Sequence, residues 1–174
     1  MVQQCQFFYA FTDNNVRVTV QITHIPDDQL AMLAVANWSV QQWQSDFPSD
    51  TVETYLTLFR TAITSQDQLP FVFVAWSDNG APIGTVTLIA DDELPHATEP
   101  GPWLAALFVL PEFRHQGVGQ ALVDAVVSAA RNTHHHELFL YTADQMTWYQ
   151  TMGWSPIRTA TLADHEVVVM RKEL

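Results

Sequence analysis

The 174-residue chain predicts an α/β (α+β) protein of about six to seven strands and about four helices. Three observations carry that expectation. Short β-rich runs recur between polar turn clusters. Other stretches keep apolar residues at helical spacing. One continuous apolar strand runs into a glycine loop that opens a helix. Hydrophobic residues make up 48% and charged residues 15% of the chain, the balance of a packed globular protein. No fixed-period repeat and no Gly/Ser or Pro-rich linker divides it, so residues 1–174 are expected to form one domain.

Val16, Val18, Val20 and Ile22 alternate with polar neighbours over Val16 to Thr23, the period-2 pattern of a half-buried strand. Asp27 and Asp28 offer N-caps for a helix running towards Trp43. Asp50, with Glu53 three residues on, resembles a capping box, and Val52, Tyr55, Leu56, Phe59, Ala62 and Ile63 follow as one apolar face. Phe71 to Trp76 and Ile83 to Ala90 flank the turn cluster Ser77-Asp78-Asn79-Gly80 and are expected to pair as an antiparallel hairpin. Trp103 to Val109 reads as a central buried strand.

Beyond it the period changes. Val118, Ala121, Leu122, Ala125, Val126 and Ala129 form one helical face behind Gly117 and Gly119. Glu137 to Tyr141 reads as a strand. Thr142 with Gln145 forms a second capping-box pattern, opening a helix that stops at Gly153. Trp154 to Ile157 and Glu166 to Met170 complete the sheet. The start, Met1 to Cys5, is expected not to be a secretory signal, since it lacks the basic flank and long apolar core, although Phe7 to Phe11 is apolar.

Seven Lys+Arg face nineteen Asp+Glu, a formal charge of −12, and the basic set is six arginines plus Lys172. Such a balance argues against a nucleic-acid or anionic-membrane groove and suits a cationic small molecule. No apolar stretch reaches the roughly 18 to 20 residues of a membrane helix. Cys5 is the only cysteine, which excludes an internal disulfide framework and a cysteine-built zinc site and fits a cytoplasmic protein. His134-His135-His136 project in different directions and lack spaced partners, so they read as a solvated loop, and no metal is expected.

The chemistry concentrates at the strand–helix junction, Val109-Leu110-Pro111-Glu112-Phe113-Arg114-His115-Gln116-Gly117-Val118-Gly119-Gln120. Free amides at a helix start favour phosphate, and two glycines remove the Cβ atoms that would hold it away. A P-loop would need Gly-Lys-Ser/Thr, but Val118, Gly119 and Gln120 follow Gly117. A dinucleotide fingerprint would need a third glycine where Leu122 stands.

The remaining pattern is V-x-P, then R-x-x-G-x-G and an amphipathic helix. It resembles the acetyl-CoA site of the GCN5-related N-acetyltransferase (GNAT) superfamily. A second signature, aromatic-Tyr-x-x-x-Gly-aromatic, stands at Trp148 to Trp154, and the resemblance by motif runs from Ile83 onward. It implies a central mixed, mostly antiparallel sheet with a splayed central strand pair holding acetyl-CoA as co-substrate. Pantothenate would lie along Leu107, Phe108 and Val109. Pyrophosphate would lie on the amides of His115, Gln116, Gly117, Val118, Gly119 and Gln120, with Arg114 at the family's Arg/Gln position. Tyr149 matches the family's general acid, which protonates the departing thiolate. Thr142 stands where the family often has asparagine and is assigned no catalytic role.

The central strand contains no carboxylate and no histidine to serve as base. Asp91, Asp92, Glu93 and His96, just past the preceding strand, are the candidates, with Asp92 and Glu93 foremost. Trp38 and Trp43 could wall an acceptor pocket or pack in the core. The resemblance therefore implies transfer of acetyl from acetyl-CoA to a primary amine of a small cationic acceptor in a ternary complex. A protein or peptide N-acetyltransferase and a non-catalytic acyl-CoA-binding module are the alternatives. Pairing of two copies through an edge strand, as a homodimer, stays open.

Overall fold

The computed structural model describes residues 7–13, 16–65 and 67–174. The chain begins with β1 (Phe7–Asp13) and β2 (Val16–His24), then α1 (Gln29–Trp43) and α2 (Val52–Thr64). A hairpin, β3 (Phe71–Trp76) and β4 (Pro82–Ile89), leads to β5 (Trp103–Val109). A 3-10 turn (Pro111–Phe113) precedes α3 (Val118–Asn132), β6 (Glu137–Thr142), α4 (Met146–Thr151), β7 (Ser155–Leu162) and β8 (His165–Glu173). The strands form one sheet in the order β1-β2-β3-β4-β5-β6-β8-β7, antiparallel throughout except at β5–β6. Sheet and helices agree with the expected class, with one strand more. That strand is β1, whose run Phe7-Phe8-Tyr9-Ala10-Phe11 carries no alternation of its own and gains its form by pairing with β2.

Helix starts follow local capping chemistry. The Asp28 side chain accepts from the Ala31 amide at 2.9 Å and opens α1 as expected. At α2 the expected Asp50–Glu53 box is replaced by one built a residue later. The Thr51 hydroxyl accepts from the Thr54 amide at 3.2 Å, and Thr54 reciprocates to the Thr51 amide at 3.1 Å. Glu53 is thereby freed to pair with Arg60 at 2.6 Å. Near α4 the Thr142 hydroxyl accepts from the Gln145 amide at 3.0 Å, but the helix itself starts only at Met146. Thr142 therefore closes the turn before the helix rather than capping it.

The apolar face of α3 covers one side of the sheet. Leu122, Ala125 and Val126 are fully buried there with Val86, Leu88 and Leu138. Truncating Leu122 to alanine would cost about 2–5 kcal/mol through lost burial and the cavity left behind. On the other side, Val35 and Phe59 of α1 and α2 pack on Val72 and Val74. A third cluster, including Trp103, Phe139 and Val167, fills the C-terminal part of the sheet. The three histidines end α3: His134 is left-handed (φ 62) and the His135 amide bonds back to the Ala130 oxygen at 3.0 Å. Among the described residues no helix is long and apolar enough to cross a membrane.

The functional consequence of the topology lies at β5–β6. Their parallel pairing has a single register pair, Trp103 with Phe139, after which the strands part. On its other edge β5 carries a bulge: Thr85 opposes Phe108 and Thr87 opposes Ala105, so three steps on β5 answer two on β4. Ala106, inside that bulge, has φ 51. The extra residue turns β5 away from the line that β6 follows. Backbone groups of β5 beyond Trp103 therefore face open space instead of a neighbouring strand.

Candidate active site

A cleft of about 930 Å³ opens where β5 and β6 part. That size suits a small-molecule site. Its lining draws on both faces of the sheet. On the α3 side it meets Val109, Arg114, His115, Gly117, Gly119, Gln120 and Trp148. On the α1–α2 side it meets Trp43, Asp46, Asp50, Tyr55, Asp91, Asp92 and Glu93. The opening thus passes through the sheet, with Leu107, Phe108 and Tyr149 also on its wall.

The α3-side mouth is made mostly of backbone. His115 (φ 60) and Gly117 (φ 82) are both left-handed on either side of Gln116. Alternation of this kind turns successive amides towards one point and forms an anion-binding concavity. No side chain caps α3, so its first-turn amides remain free at the positive end of the helix dipole. A Cβ on Gly119 would rest against the Trp148 indole at 3.4 and 3.5 Å, an ordinary van der Waals contact, so the indole shares this wall with the glycine. Arg114 is anchored: its Nε donates to the Val109 oxygen at 2.9 Å, and its guanidinium carbon lies 5.8 Å from the Phe108 ring centre. The Gln116 side chain donates to the Glu112 oxygen at 2.8 Å and the Val118 side chain is buried in the core. For these two residues the backbone amide is the group left for a ligand.

Tyr149 projects from α4 between Trp148 and Trp154, ring centres at 4.8 and 5.9 Å, both edge-on. Its residue surface is only 6% exposed, and no group among the described residues hydrogen-bonds its hydroxyl. Burial raises its ionisation above the ordinary phenol value, and the charges of Asp144 and Asp92 push the same way. The phenol therefore stays protonated through neutral pH and can donate.

Of the acidic candidates, the structure separates three roles. Asp91 is spent on its own turn, its Oδ1 accepting from the Glu93 amide at 2.9 Å. Glu93 is exposed on the cleft wall. His96 is exposed and lies outside the cleft lining. The ionisation of Asp92 is raised well above its ordinary value by burial, the nearby Tyr141 hydroxyl opposing the shift and the charges of Glu93 and Asp91 adding to it. A carboxylate so tuned is a better proton acceptor than an exposed one. Trp38 and Trp43 stand 5.8 and 6.5 Å from Phe108, and Trp43 lines the cleft.

Asp46 escaped the sequence reading; Asp50 entered it only as a helix cap, Tyr141 only as the end of a strand and Tyr55 only as part of an apolar face. Asp46 and Asp50 come from the α1–α2 connection and join the acidic turn only through tertiary packing. No local pattern announces them; the overall charge of −12 was their only trace.

Residues 32–154 match the model of the acetyltransferase (GNAT) family. The chain belongs to the GNAT acetyltransferase family. Solved structures agree in fold. An acetyltransferase from Streptococcus agalactiae 2603 superposes with a TM-score of 0.64 at 17% identity, covering 89% of this chain and 98% of that one. An aminoglycoside 6'-acetyltransferase type Ii gives 0.67 at 14% identity, over 87% and 96%. A GNAT-family acetyltransferase from Streptococcus pneumoniae gives 0.60 at 14%, over 89% and 99%. No curated protein matches the chain. Membership of GNAT makes the chain an acyltransferase by family and accounts for the splayed strands and the glycine loop together.

Proposed function

We propose that this protein is an N-acetyltransferase that moves acetyl from acetyl-CoA to the primary amine of a small cationic acceptor, acting as one cytoplasmic domain over residues 1–174. The carrying observation is the opposite character of the two mouths. One offers free amides and Arg114, suited to a polyphosphate; the other offers Asp46, Asp50, Asp91, Asp92 and Glu93, suited to a cation. The glycine wall at Gly119 and the nest at His115–Gly117 fit a pyrophosphate. The unpaired edge at Leu107, Phe108 and Val109 fits an amide-bearing arm that bonds as an added strand would.

Acetyl-CoA supplies an acyl group activated as a thioester. The chain's residues supply orientation and proton traffic. Arg114 and the loop amides fix the anionic end. Asp92 takes the proton that the attacking amine must lose, and its raised ionisation makes it a stronger base than an exposed carboxylate. The new nitrogen–carbon bond replaces the carbon–sulfur bond, and Tyr149 gives its proton to the sulfur. Exchange with solvent returns both groups to their starting states. A non-catalytic binder would have no use for a phenol held protonated and a carboxyl raised in its ionisation on the wall of one cleft, which favours the enzyme.

CoA release measured across a panel of amines and a lysine-rich peptide, with acetyl-CoA as donor, tests the reading. Turnover on small amines is expected. Turnover confined to the peptide would favour the protein acetyltransferase, and acetyl-CoA binding without any CoA release would leave a binding module.

A further inference from the structure

In the proposed transfer Asp92 and Tyr149 handle the protons on nitrogen and sulfur. Negative charge also collects on the thioester carbonyl oxygen while the carbon is tetrahedral, and neither group answers it. Two threonines of β4 are buried, Thr85 at 2% and Thr87 at 3% exposed. Val86 and Leu88 pack on the α3 side, so alternation along the strand turns both threonines towards the α1–α2 side. The Thr85 hydroxyl donates to the Phe73 oxygen at 3.0 Å. No group among the described residues hydrogen-bonds the Thr87 hydroxyl.

A buried hydroxyl without a partner is costly, so its hydrogen needs an acceptor from a ligand. Among the described residues the fully enclosed side-chain polar atom that lacks a partner is Trp154 Nε1. The Thr87 oxygen therefore keeps open surface, and the cleft is the space that Thr87 lines. Ile89 and the run Leu104 to Val109 supply the other β4 and β5 side chains on that wall, and all of them are apolar. Thr87 stands opposite Ala105, beside the bulge. At this level β5 offers only the methyl groups of Ala105 and Ala106. An arm that runs from the loop amides along Val109, Phe108 and Leu107, as proposed above, brings its acyl end here. Branching at Cβ restricts χ1, so the donor is fixed in direction before substrate arrives.

We infer that Thr87 is a further catalytic residue, whose hydroxyl donates a hydrogen bond to the thioester carbonyl oxygen of acetyl-CoA and steadies the charge that gathers there. The bond strengthens as the nitrogen–carbon bond forms and relaxes as the carbon–sulfur bond breaks, and no proton passes through it. The amine nitrogen cannot be the acceptor, because its lone pair is committed to the carbon under attack. This inference rests on the proposed use of acetyl-CoA and adds a contact that forms on binding, before any amine is present.

Infrared difference spectra of acetyl-CoA isotopically labelled at the thioester carbonyl and bound to the full chain, taken beside CoA-release kinetics, test it. Thr87→Val keeps the branched shape and suits a strand. In that variant the carbonyl stretch should lie higher than in wild type, and kcat should fall by about 10²-fold with a much smaller change in acetyl-CoA affinity. Thr87→Ser, which keeps the hydroxyl, should restore the low stretch and most of the rate. The same carbonyl stretch in wild type and Thr87→Val would overturn the inference, whatever happens to the rate. A rate loss that Thr87→Ser shares in full would overturn it too and make Thr87 a packing residue. CoA release from no amine, with the stretch still moved by Thr87→Val, would remove the transfer reading and leave the carbonyl contact standing. Failure of the wild-type protein to bind acetyl-CoA would overturn both.

Discussion

The Tyr141 hydroxyl donates to the Asp92 backbone oxygen across 3.2 Å and so ties β6 to the acidic turn that follows β4. Tyr141 also packs edge-on against Trp103, ring centres 6.2 Å apart, at the point where β5 and β6 begin to part. The candidate base is therefore anchored to the strand that forms the other side of the cleft.

That anchor predicts a pH effect. Asp92 must be ionised to accept a proton, and its ionisation is raised by burial, so kcat/KM should fall as pH drops below that raised value. Glu93, Asp91, Tyr55, Tyr141 and Tyr149 are the titratable groups that face it. The nearby Tyr141 hydroxyl opposes the rise in the Asp92 carboxyl; Tyr141→Phe should therefore move the acidic limb to higher pH. Asp92→Asn should abolish the limb and lower kcat by ~10²-fold or more. A limb that does not move in Tyr141→Phe and persists in Asp92→Asn would place the base elsewhere.

Tyr149→Phe keeps the ring that packs between Trp148 and Trp154 and removes only the hydroxyl, which has no protein partner to lose among the described residues. Thermal stability and acetyl-CoA affinity should stay near wild type, while turnover falls by the ~10²-fold or more expected of a positioned acid. Loss of stability with turnover per folded molecule intact would make Tyr149 a packing residue.

Gly119→Val should weaken acetyl-CoA binding by about tenfold or more, a loss of ~1.4 kcal/mol, since its branches would enter the space between Trp148 and the loop amides. Gly117→Val combines that effect with strain, because φ 82 costs a residue bearing a Cβ about 1–2 kcal/mol. Calorimetry would report the first effect and melting the second. Unchanged affinity in folded Gly119→Val would refute the pyrophosphate assignment.

Away from the cleft, Arg158 grips Glu99 with Nε and Nη2, both at 2.7 Å, fastening the loop before β5 to β7. The paired guanidinium, chiefly by hydrogen bonding, lowers the Glu99 carboxyl to about 2 from an ordinary 4.5. A depressed carboxylate stabilises the fold fully above its ordinary value and loses that contribution as pH falls towards about 2. Glu99→Gln should thus cost about 1–2 kcal/mol at neutral pH, a partly exposed charge-assisted pair, and much less at pH ~2. Urea melts across that range would show it; a cost independent of pH would mean the pair adds nothing electrostatic.

Much of the fold was legible because its signals are local. The alternation in Val16 to Thr23, the hairpin turn at Ser77 to Gly80 and the helical face behind Gly117 each rest on contacts within a few residues, and each appears where expected. Cap positions slipped where two hydroxyls or carboxylates competed for the same amides, as at Asp50 and Thr51. The run Phe7 to Phe11 could become a strand only by pairing with β2.

By itself the sequence determined the glycine loop and the placement of Tyr149 on its helix, because Arg114 to Gln120 and Trp148 to Trp154 are contiguous segments whose geometry follows from glycine conformation and helix ends. It also determined the acidity of the whole. Which carboxylates share a cavity was decided by the tertiary structure alone. Asp46, Asp50 and Asp92 lie on separate connections, and only the bulge at Ala106 and the parting of β5 from β6 open the space they line. Desolvation, which sets Asp92 apart from Asp91 and Glu93, depends on what packs around a side chain and so has no signature along the chain.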